Sequence, residues 1–370
     1  MKNNKLIVKT KSKTYPIYFG NNILSTAGRL IKKNLPNVKK ICIISDNKLP
    51  KILLKKLIKS LKKYDLKVHK LSANEKTKSL NIANKIIEQL LKDNFNKSDC
   101  VIAFGGGVLG DLSSFISNLT KRGLKFINIP TTLLAQVDAS IGGKTGINTK
   151  QGKNLIGTYY QPDFILSDIS ILKSLPQKEM ISGYGEILKH SLILDKKFFL
   201  WLSKNGKKII NGKNNVFLKK AIIKSCQIKC KIVHKDEKEK DLRMILNFGH
   251  TFAHGFESAK NFSKKLNHGE AVLLGMMVAS ELSNKKKLLS IKELLLIKKH
   301  YFNLKLPMYI NKIFKKREIN KIIYFIKKDK KNINEKINLI LLSKIGKTTK
   351  PKRFALNSSE VKKFLNSYYL

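Results

Sequence analysis

The stretch Cys100–Asp111 reads CVIAFGGGVLGD, and the rest of the chain is organised around it. A short apolar run closed by glycine is a buried strand, and Val108–Leu119 carries the spacing of the helix that follows. Gly105 to Gly110 matches G-x-G-x-x-G in that strand-to-helix position. Such glycines let a chain turn tightly and set backbone N–H groups against a pyrophosphate at a helix N-terminus. A plain turn would need one glycine, and four are present. Asp46, just after the run KICIIS (40–45), is placed to accept ribose hydroxyls. It precedes the glycine turn, whereas the usual dinucleotide fingerprint has its acidic residue about 20 residues downstream, so the wiring differs from that fingerprint.

Outward from this turn, residues 1–170 alternate apolar runs with amphipathic stretches. Lys40–Ser45, Lys67–Leu71, Cys100–Phe104 and Lys125–Ile129 read as strands, and Pro50–Lys63, Leu80–Leu91 and Val108–Leu119 as helices. That alternation predicts a mostly parallel, Rossmann-like sheet covered on both faces. From about Glu179 the period becomes 3.6 over Ile181–Leu194, Phe217–Val233, Leu242–Ser258, Gly269–Lys287 and Ile291–Tyr301. One late strand is expected at Lys336–Leu342. The fold class is therefore an α/β nucleotide-binding domain, residues 1–173, followed by a mainly α-helical metal- and substrate-binding domain, residues 174–370.

Composition excludes several classes. Of 370 residues 42% are hydrophobic and 8% aromatic, enough for a large core despite a formal charge of +50. No apolar run reaches the roughly 18 residues of a membrane span, and MKNNKLIVKT lacks a signal-peptide core. Cys42, Cys100, Cys226 and Cys230 are too few and too scattered for a disulfide scaffold, so a reducing cytoplasm is expected. The lysines are spread along the whole chain, and arginines, which bidentate phosphate and base contacts favour, number five. Nucleic acid is therefore not the expected partner. Lysine, asparagine and isoleucine share A/T-rich codons, and the excess charge reads mainly as a compositional drift on a solvated surface.

Two further clusters carry chemistry. Gly142–Gly146 (GGKTG) lacks the preceding spacing of a P-loop, and on spacing alone Lys144, Lys153 and Asn154 belong to a lysine-bearing surface loop. Three of the seven histidines fall in one nineteen-residue stretch: His250, His254 and His268. The first two are i, i+4 on one helix face. Imidazoles with a carboxylate make a metal site that leaves a coordination position open for substrate. Glu186, in GYGEILKH (183–190), is the candidate carboxylate, because an unpaired charge on so apolar a helix would be costly. His190, one turn on, competes as a ligand. His69, His234 and His300 read as structural.

Together these segments resemble the 3-dehydroquinate synthase family. The resemblance is carried by GGGVLGD (105–111), KRG (121–123), PTTLLAQVDASIGGKTGINTKQGKNLIGTYYQP (130–162), GYGEILKH, DEKEKDLRMILNFGHTFAHGFE (236–257), HGEAV (268–272) and KKDKK (327–331). It implies NAD⁺ and a divalent metal, zinc or cobalt, acting on 3-deoxy-D-arabino-heptulosonate 7-phosphate in the shikimate route to chorismate and the aromatic amino acids. The implied chemistry is transient oxidation, phosphate elimination, re-reduction and aldol closure to 3-dehydroquinate, in a homodimer. Carried over by position, the metal ligands are Glu186, His250 and His268, which leaves His254 to hydrogen-bond in the active site. Cofactor contacts fall on Asp46, Glu75, Lys78, Gly106, Gly107, Val108, Asp111, Thr131, Thr132, Asp138, Lys144, Lys153 and Asn154. Substrate contacts and catalytic roles fall on Arg122, Asp138, Lys144, Asn154, Lys189, Lys229, Arg243, Asn247, His254 and one of Lys330 and Lys331. Lys48 departs from the short polar residue found there in many members, which bears on one ribose contact.

Three rival readings are distinguishable. A metal-dependent polyol dehydrogenase would share the glycine turn and the histidines, but an uncharged polyol has no use for Lys144, Lys189 and Arg243. Another sugar-phosphate cyclase would share nearly every motif. A nucleic-acid-binding protein would rest on charge alone.

Overall fold

Seven strands build the sheet expected around the CVIAF run. In chain order the strands are β1 (Lys5–Lys9), β2 (Thr14–Gly20), β3 (Lys40–Asp46), β4 (Asp65–Leu71), β5 (Cys100–Gly105), β6 (Lys125–Pro130), β7 (Ile147–Thr149), β8 (Gly152–Ile156) and β9 (Phe164–Asp168). The sheet runs β1-β2-β9-β6-β5-β3-β4, with β7 and β8 forming a separate hairpin. Only the β1–β2 pair is antiparallel; every other ladder in the seven-stranded sheet is parallel. This computed structural model describes residues 5–212, 214–261, 265–328 and 336–369.

Side-chain alternation explains the two-faced burial. Ile41, Ile43, Ile102 and Phe104 enter one core cluster with Ala27 and Ile31 of α1 (Ala27–Asn34) and Leu57 of α2 (Lys51–Ser60). Cys42, Ile44 and Val101 point the other way, against Ala83, Ile86 and Leu90 of α3 (Leu80–Lys92) and Leu112, Phe115 and Ile116 of α4 (Gly107–Leu119). Each fully buried Ile or Phe contributes about 1.5–3 kcal/mol, which is why strands without polar alternation hold the centre.

The chain forms two compact units. One comprises Met1–Pro176 with Gly212–Lys238, the other Gln177–Asn211 with Glu239–Leu370. The change of sequence pattern near residues 173/174 falls close to the first edge at Pro176. Helix α7 (Asn215–Lys235), by contrast, belongs with the sheet. Its Cys226 thiol lies 3.3 Å from the Gln136 carbonyl oxygen, its His234 Nδ1 is 3.0 Å from the Lys9 carbonyl oxygen, and beyond its end Glu237 accepts from the Ser12 N–H at 3.0 Å.

The second unit holds α5 (Gln177–Leu194), α6 (Lys196–Ile210), α8 (His250–Ala259), α9 (His268–Lys285), α10 (Ile291–Leu304), α11 (Ile319–Lys327) and α12 (Ser358–Tyr369). Its short strands are β10 (Ile337–Leu339), β11 (Leu342–Lys344), β12 (Lys347–Thr348) and β13 (Phe354–Leu356). Two expectations need correction here. The helix expected over Leu242–Ser258 is a 3₁₀ turn, Leu242–Asn247, broken before α8 at Gly249, whose φ is +80°. Apolar residues on both sides of the break keep the 3.6 period, so periodicity alone cannot register it. The single strand expected at Lys336–Leu342 is two, β10 pairing with β13 and β11 with β12. One apolar run serves both ladders. No described helix is long and apolar enough to cross a membrane.

Candidate active site

In the first unit, the candidate nucleotide site lies where the sheet order reverses. From β3 the chain continues outward to β4, and from β5 it continues the other way to β6, so β3 and β5 flank the switch point where doubly wound sheets bind nucleotides at the strands' C-terminal ends. Asp46 ends β3 and Gly105 ends the neighbouring β5, with Ser45 paired to Phe104. Gly106 stands at the N-cap of α4 in extended conformation, and no side chain caps the helix. The first-turn N–H groups are thus open to an anion, which fits a pyrophosphate. Thr131 and Thr132 follow β6, the Thr131 N–H donating to the Gly105 carbonyl at 3.0 Å. The Asp46 carboxylate accepts from the Lys48 N–H at 3.0 Å. Because a carboxylate has about four lone-pair sites, that turn still leaves acceptor capacity for ribose.

A polar network joins the next set of expected cofactor residues. The buried Lys78 ammonium donates to Asp111 at 2.6 Å and to the Asn154 side chain. Lys153 lies 3.4 Å from Glu75, and Asn148 donates to Glu75 at 2.7 Å. Asn148 also accepts from the Asn154 N–H at 3.0 Å, and its own N–H reaches the Lys78 carbonyl at 2.7 Å. Burial pushes the Asp111 carboxyl up against the pull of Lys78. Burial works the same way on Glu75, but Lys153, Asn148 and Lys78 outweigh it and hold this carboxyl below its ordinary value. Asp138 sits in a π-turn, Ala135–Ala139, and its carboxylate meets the buried Lys229 ammonium at 2.7 Å. Asp111 and Lys144 line one small pocket together with Gly110, Ser140 and Tyr160. Val108 lies in the first turn of α4.

Arg122 stands at the opposite end of α4 from the glycine turn. It is exposed beyond the C-terminal end of α4, at φ +61°, after a helix of 13 residues, roughly 20 Å from the glycine turn at 1.5 Å per residue. Residue-by-residue transfer carries no information on which end of a helix a motif occupies.

In the second unit, Glu186, His250 and His268 each offer a ligand atom, and these atoms lie within 4.8 Å of one another. Glu186 comes from the middle of α5, His250 opens α8 and His268 opens α9. Asn267 caps α9 by accepting from the Glu270 N–H at 2.8 Å, while the Glu270 carboxylate accepts from the Asn267 N–H at 2.9 Å. This capping box fixes where His268 leaves the chain. Close approach of α5 and α9 depends on Gly269, where a Cβ would stand 2.2 Å from the Ser182 Cα. At Gly249 the left-handed turn redirects the chain into α8, and a Cβ there would meet Met276 at 2.6 Å.

The donor set fits a divalent cation. The Glu186 side chain is 2% exposed, and its carboxylate faces the Lys189 ammonium and the His250 Nε2, the latter at 3.7 Å. His250 Nδ1 is 3.3 Å from the Phe248 carbonyl oxygen, so it carries the proton and the Nε2 lone pair turns toward Glu186. One carboxylate and two imidazoles make a three-ligand site with open positions. His254 lies beside it, its ring centroid 5.8 Å from that of His250, outside the converging triad. The i, i+4 spacing of two histidines therefore brings one of them into the cluster and leaves the other beside it. Lys189 and Arg243 are buried, and Asn247 donates to Glu239 at 2.7 Å. Lys330 and Lys331 lie outside the described residues. Sequence reasoning passed over Asn148, Glu239 and Glu257; all three sit inside quoted motifs, but none carries a histidine-like rarity to mark it.

The fold is shared with solved structures of two kinds. It superposes on 2-deoxy-scyllo-inosose synthase, solved with carbaglucose-6-phosphate, NAD⁺ and Co²⁺, with TM-score 0.86 at 22% identity over 98% of this chain and 99% of that one. It superposes less closely on a probable glycerol dehydrogenase from Sinorhizobium meliloti 1021, with TM-score 0.67 at 12% identity over 95% and 96%. Sequence separates the two kinds. Residues 68–182 match the 3-dehydroquinate synthase N-terminal family and residues 183–332 the 3-dehydroquinate synthase C-terminal family. The 3-dehydroquinate synthase of Pelagibacter ubique (strain HTCC1062) is 53% identical over 342 residues, 92% of this chain and 93% of that protein. The chain belongs to the 3-dehydroquinate synthase family.

Proposed function

We propose that this protein converts 3-deoxy-D-arabino-heptulosonate 7-phosphate to 3-dehydroquinate and inorganic phosphate, as a phosphate-eliminating, cyclising carbon–oxygen lyase using NAD⁺ and a divalent cation, zinc or cobalt. The observation that carries it is the convergence of Glu186, His250 and His268 within 4.8 Å in a chain whose other unit presents an uncapped helix N-terminus at the sheet's switch point. When bound, NAD⁺ accepts a hydride from the substrate's secondary alcohol and later returns it, while the cation polarises the neighbouring oxygens; net redox is zero.

The chain's own residues do the rest. Glu186, His250 and His268 hold the cation, and the Lys189 ammonium supplies countercharge to the buried carboxylate. Lys144, Lys189, Lys229 and Arg243 supply cationic donors for the substrate's phosphate and carboxylate, with Asn154 and Asn247 as neutral ones. His254 donates a hydrogen bond beside the metal ligands. Arg122 enters this reading by family position only. Residues 1–173 are read as the NAD-binding half, to which α7 adds Lys229, and residues 174–370 as the metal- and substrate-binding half. A homodimer in the cytoplasm, on the shikimate route, completes the proposal. All four cysteines are free and buried, which suits a reducing compartment.

The test is a coupled assay on the full chain. Phosphate release from the heptulosonate phosphate should require both NAD⁺ and a divalent ion, stop with a chelator and leave no net NADH. Stoichiometric NADH would favour the dehydrogenase reading, and inertness toward this substrate with turnover of another sugar phosphate would favour a different cyclase.

A further inference from the structure

We propose that Glu257 is a positioning residue for the metal centre, holding the His268 ring so that Nε2 faces the cation. The inference rests on the metal reading above. Glu257 Oε2 lies 3.1 Å from His268 Nδ1. A ring nitrogen that close to a carboxylate carries its proton, which commits the other nitrogen to be the lone-pair donor.

The two ligand histidines are held differently. The His250 side chain is 13% exposed, meets the His254 ring edge-on and turns its Nδ1 to a backbone oxygen. The His268 side chain is 40% exposed and sits on the first residue of α9, where burial alone does not fix its χ angles. A tether has to do so, and Glu257 is a good one, because its side chain is only 8% exposed and its carboxylate cannot swing into water. Glu257 is seven residues after His250, two turns along the same face of α8. One helix thus supplies a ligand and the group that orients the next ligand. A buried carboxylate has to be paired somewhere, but pairing alone would not demand a histidine that also faces the triad.

The experiment titrates purified, metal-stripped full chain with Co²⁺ and with Zn²⁺ against a chromophoric chelator, and records the visible spectrum of the cobalt form. Glu257→Ala should weaken both metals by about 10–100-fold, the usual cost of losing such an outer partner, and alter the cobalt bands. Glu257→Gln, whose amide oxygen still accepts from Nδ1–H, should recover most of the affinity and the wild-type bands. In a His268→Ala background, Glu257→Ala should cost nothing more. Affinity for Glu257→Ala within twofold of wild type, or an equal loss with and without His268, would overturn the proposal. If Glu257→Ala does not fold, Glu257→Leu, closer in volume, takes its place: it should show the same loss of about 10–100-fold, and affinity within twofold of wild type, or an equal loss with and without His268, refutes the proposal. A wild-type chain that binds neither metal would instead sink the metal reading itself.

Discussion

Replacing Gly269 by alanine tests how the metal triad is assembled. A Cβ there would stand 2.2 Å from the Ser182 Cα, 2.3 Å from its Oγ and 2.6 Å from its Cβ. Carbon pairs rest near 3.5–4.0 Å, so α5 and α9 must part by roughly 1 Å where they cross. Overpacking of this kind costs about 1–3 kcal/mol. Glu186 lies one turn beyond Ser182 on the same face of α5, and His268 is adjacent to the substituted residue, so the parting opens the triad directly. Metal–ligand distances tolerate only about ±0.2 Å. Cobalt affinity, read by chelator competition, should therefore fall on the order of 10–100-fold, and the apo protein should melt lower, by about 2–4 °C per kcal/mol. Adding Ser182→Gly removes the Oγ and Cβ contacts but leaves the Cα, so it should restore only part of either loss. Wild-type metal affinity together with a wild-type melting temperature in Gly269→Ala would refute the argument, since the helices would then have room that the geometry denies them.

Other expectations follow from the same geometry. Glu186→Ala, His250→Ala and His268→Ala should each abolish retention of zinc through gel filtration, whereas His254→Ala should keep the metal and lose turnover; an empty site in His254→Ala would overturn the ligand assignment. His300, buried with its Nε2 2.9 Å from the Tyr184 hydroxyl, has its pKa lowered by burial to about 4. A depressed histidine contributes stability that is present above its unfolded value near 6.5 and lost as pH falls toward 4, so chemical denaturation should find about 2 kcal/mol gone by pH 5. His300→Gln should flatten that slope, and an unchanged slope would exclude His300 as its source. Lys78→Met removes the ammonium that opposes burial at Asp111 and ties down Asn154; NAD⁺ binding, followed by fluorescence quenching, should weaken at least tenfold, worth about 1.4 kcal/mol, and unaltered binding would take Lys78 out of the cofactor network.

Much of the architecture was legible because it is written in local pattern. KICIIS and CVIAF are uninterrupted apolar runs, as strands buried on both faces must be, and the 3.6 period of α5 and α9 survives their functional residues. The broken helix before His250 was hidden because Gly249 is one residue and its flanks are apolar on both sides. The membership of α7 in the sheet unit was not legible at all, since periodicity reports a helix and not its neighbour. For the site, rarity picked out the candidates, since three histidines in a short stretch stand out in this chain and Glu186 stands out on an apolar helix; the choice among them came from the family resemblance. Carboxylates such as Glu257 and Glu239, and an amide such as Asn148, gain their roles only from what the fold brings to them. Arg122 marks the opposite limit, a residue in a telling motif that the chain leaves far from the glycine turn.

The return of α7 to the sheet has a consequence for biosynthesis. The polypeptide passes from one unit to the other three times, at 176/177, 211/212 and 238/239, so no single cut liberates either half. A nascent chain stopped at residue 176 lacks the partner for Asp138 and for the edge strand β1. The N-terminal unit thus waits for about sixty further residues, including two helices of its neighbour, before it can close, and recombination between relatives with a crossover anywhere between residues 176 and 238 would build that unit from two parents.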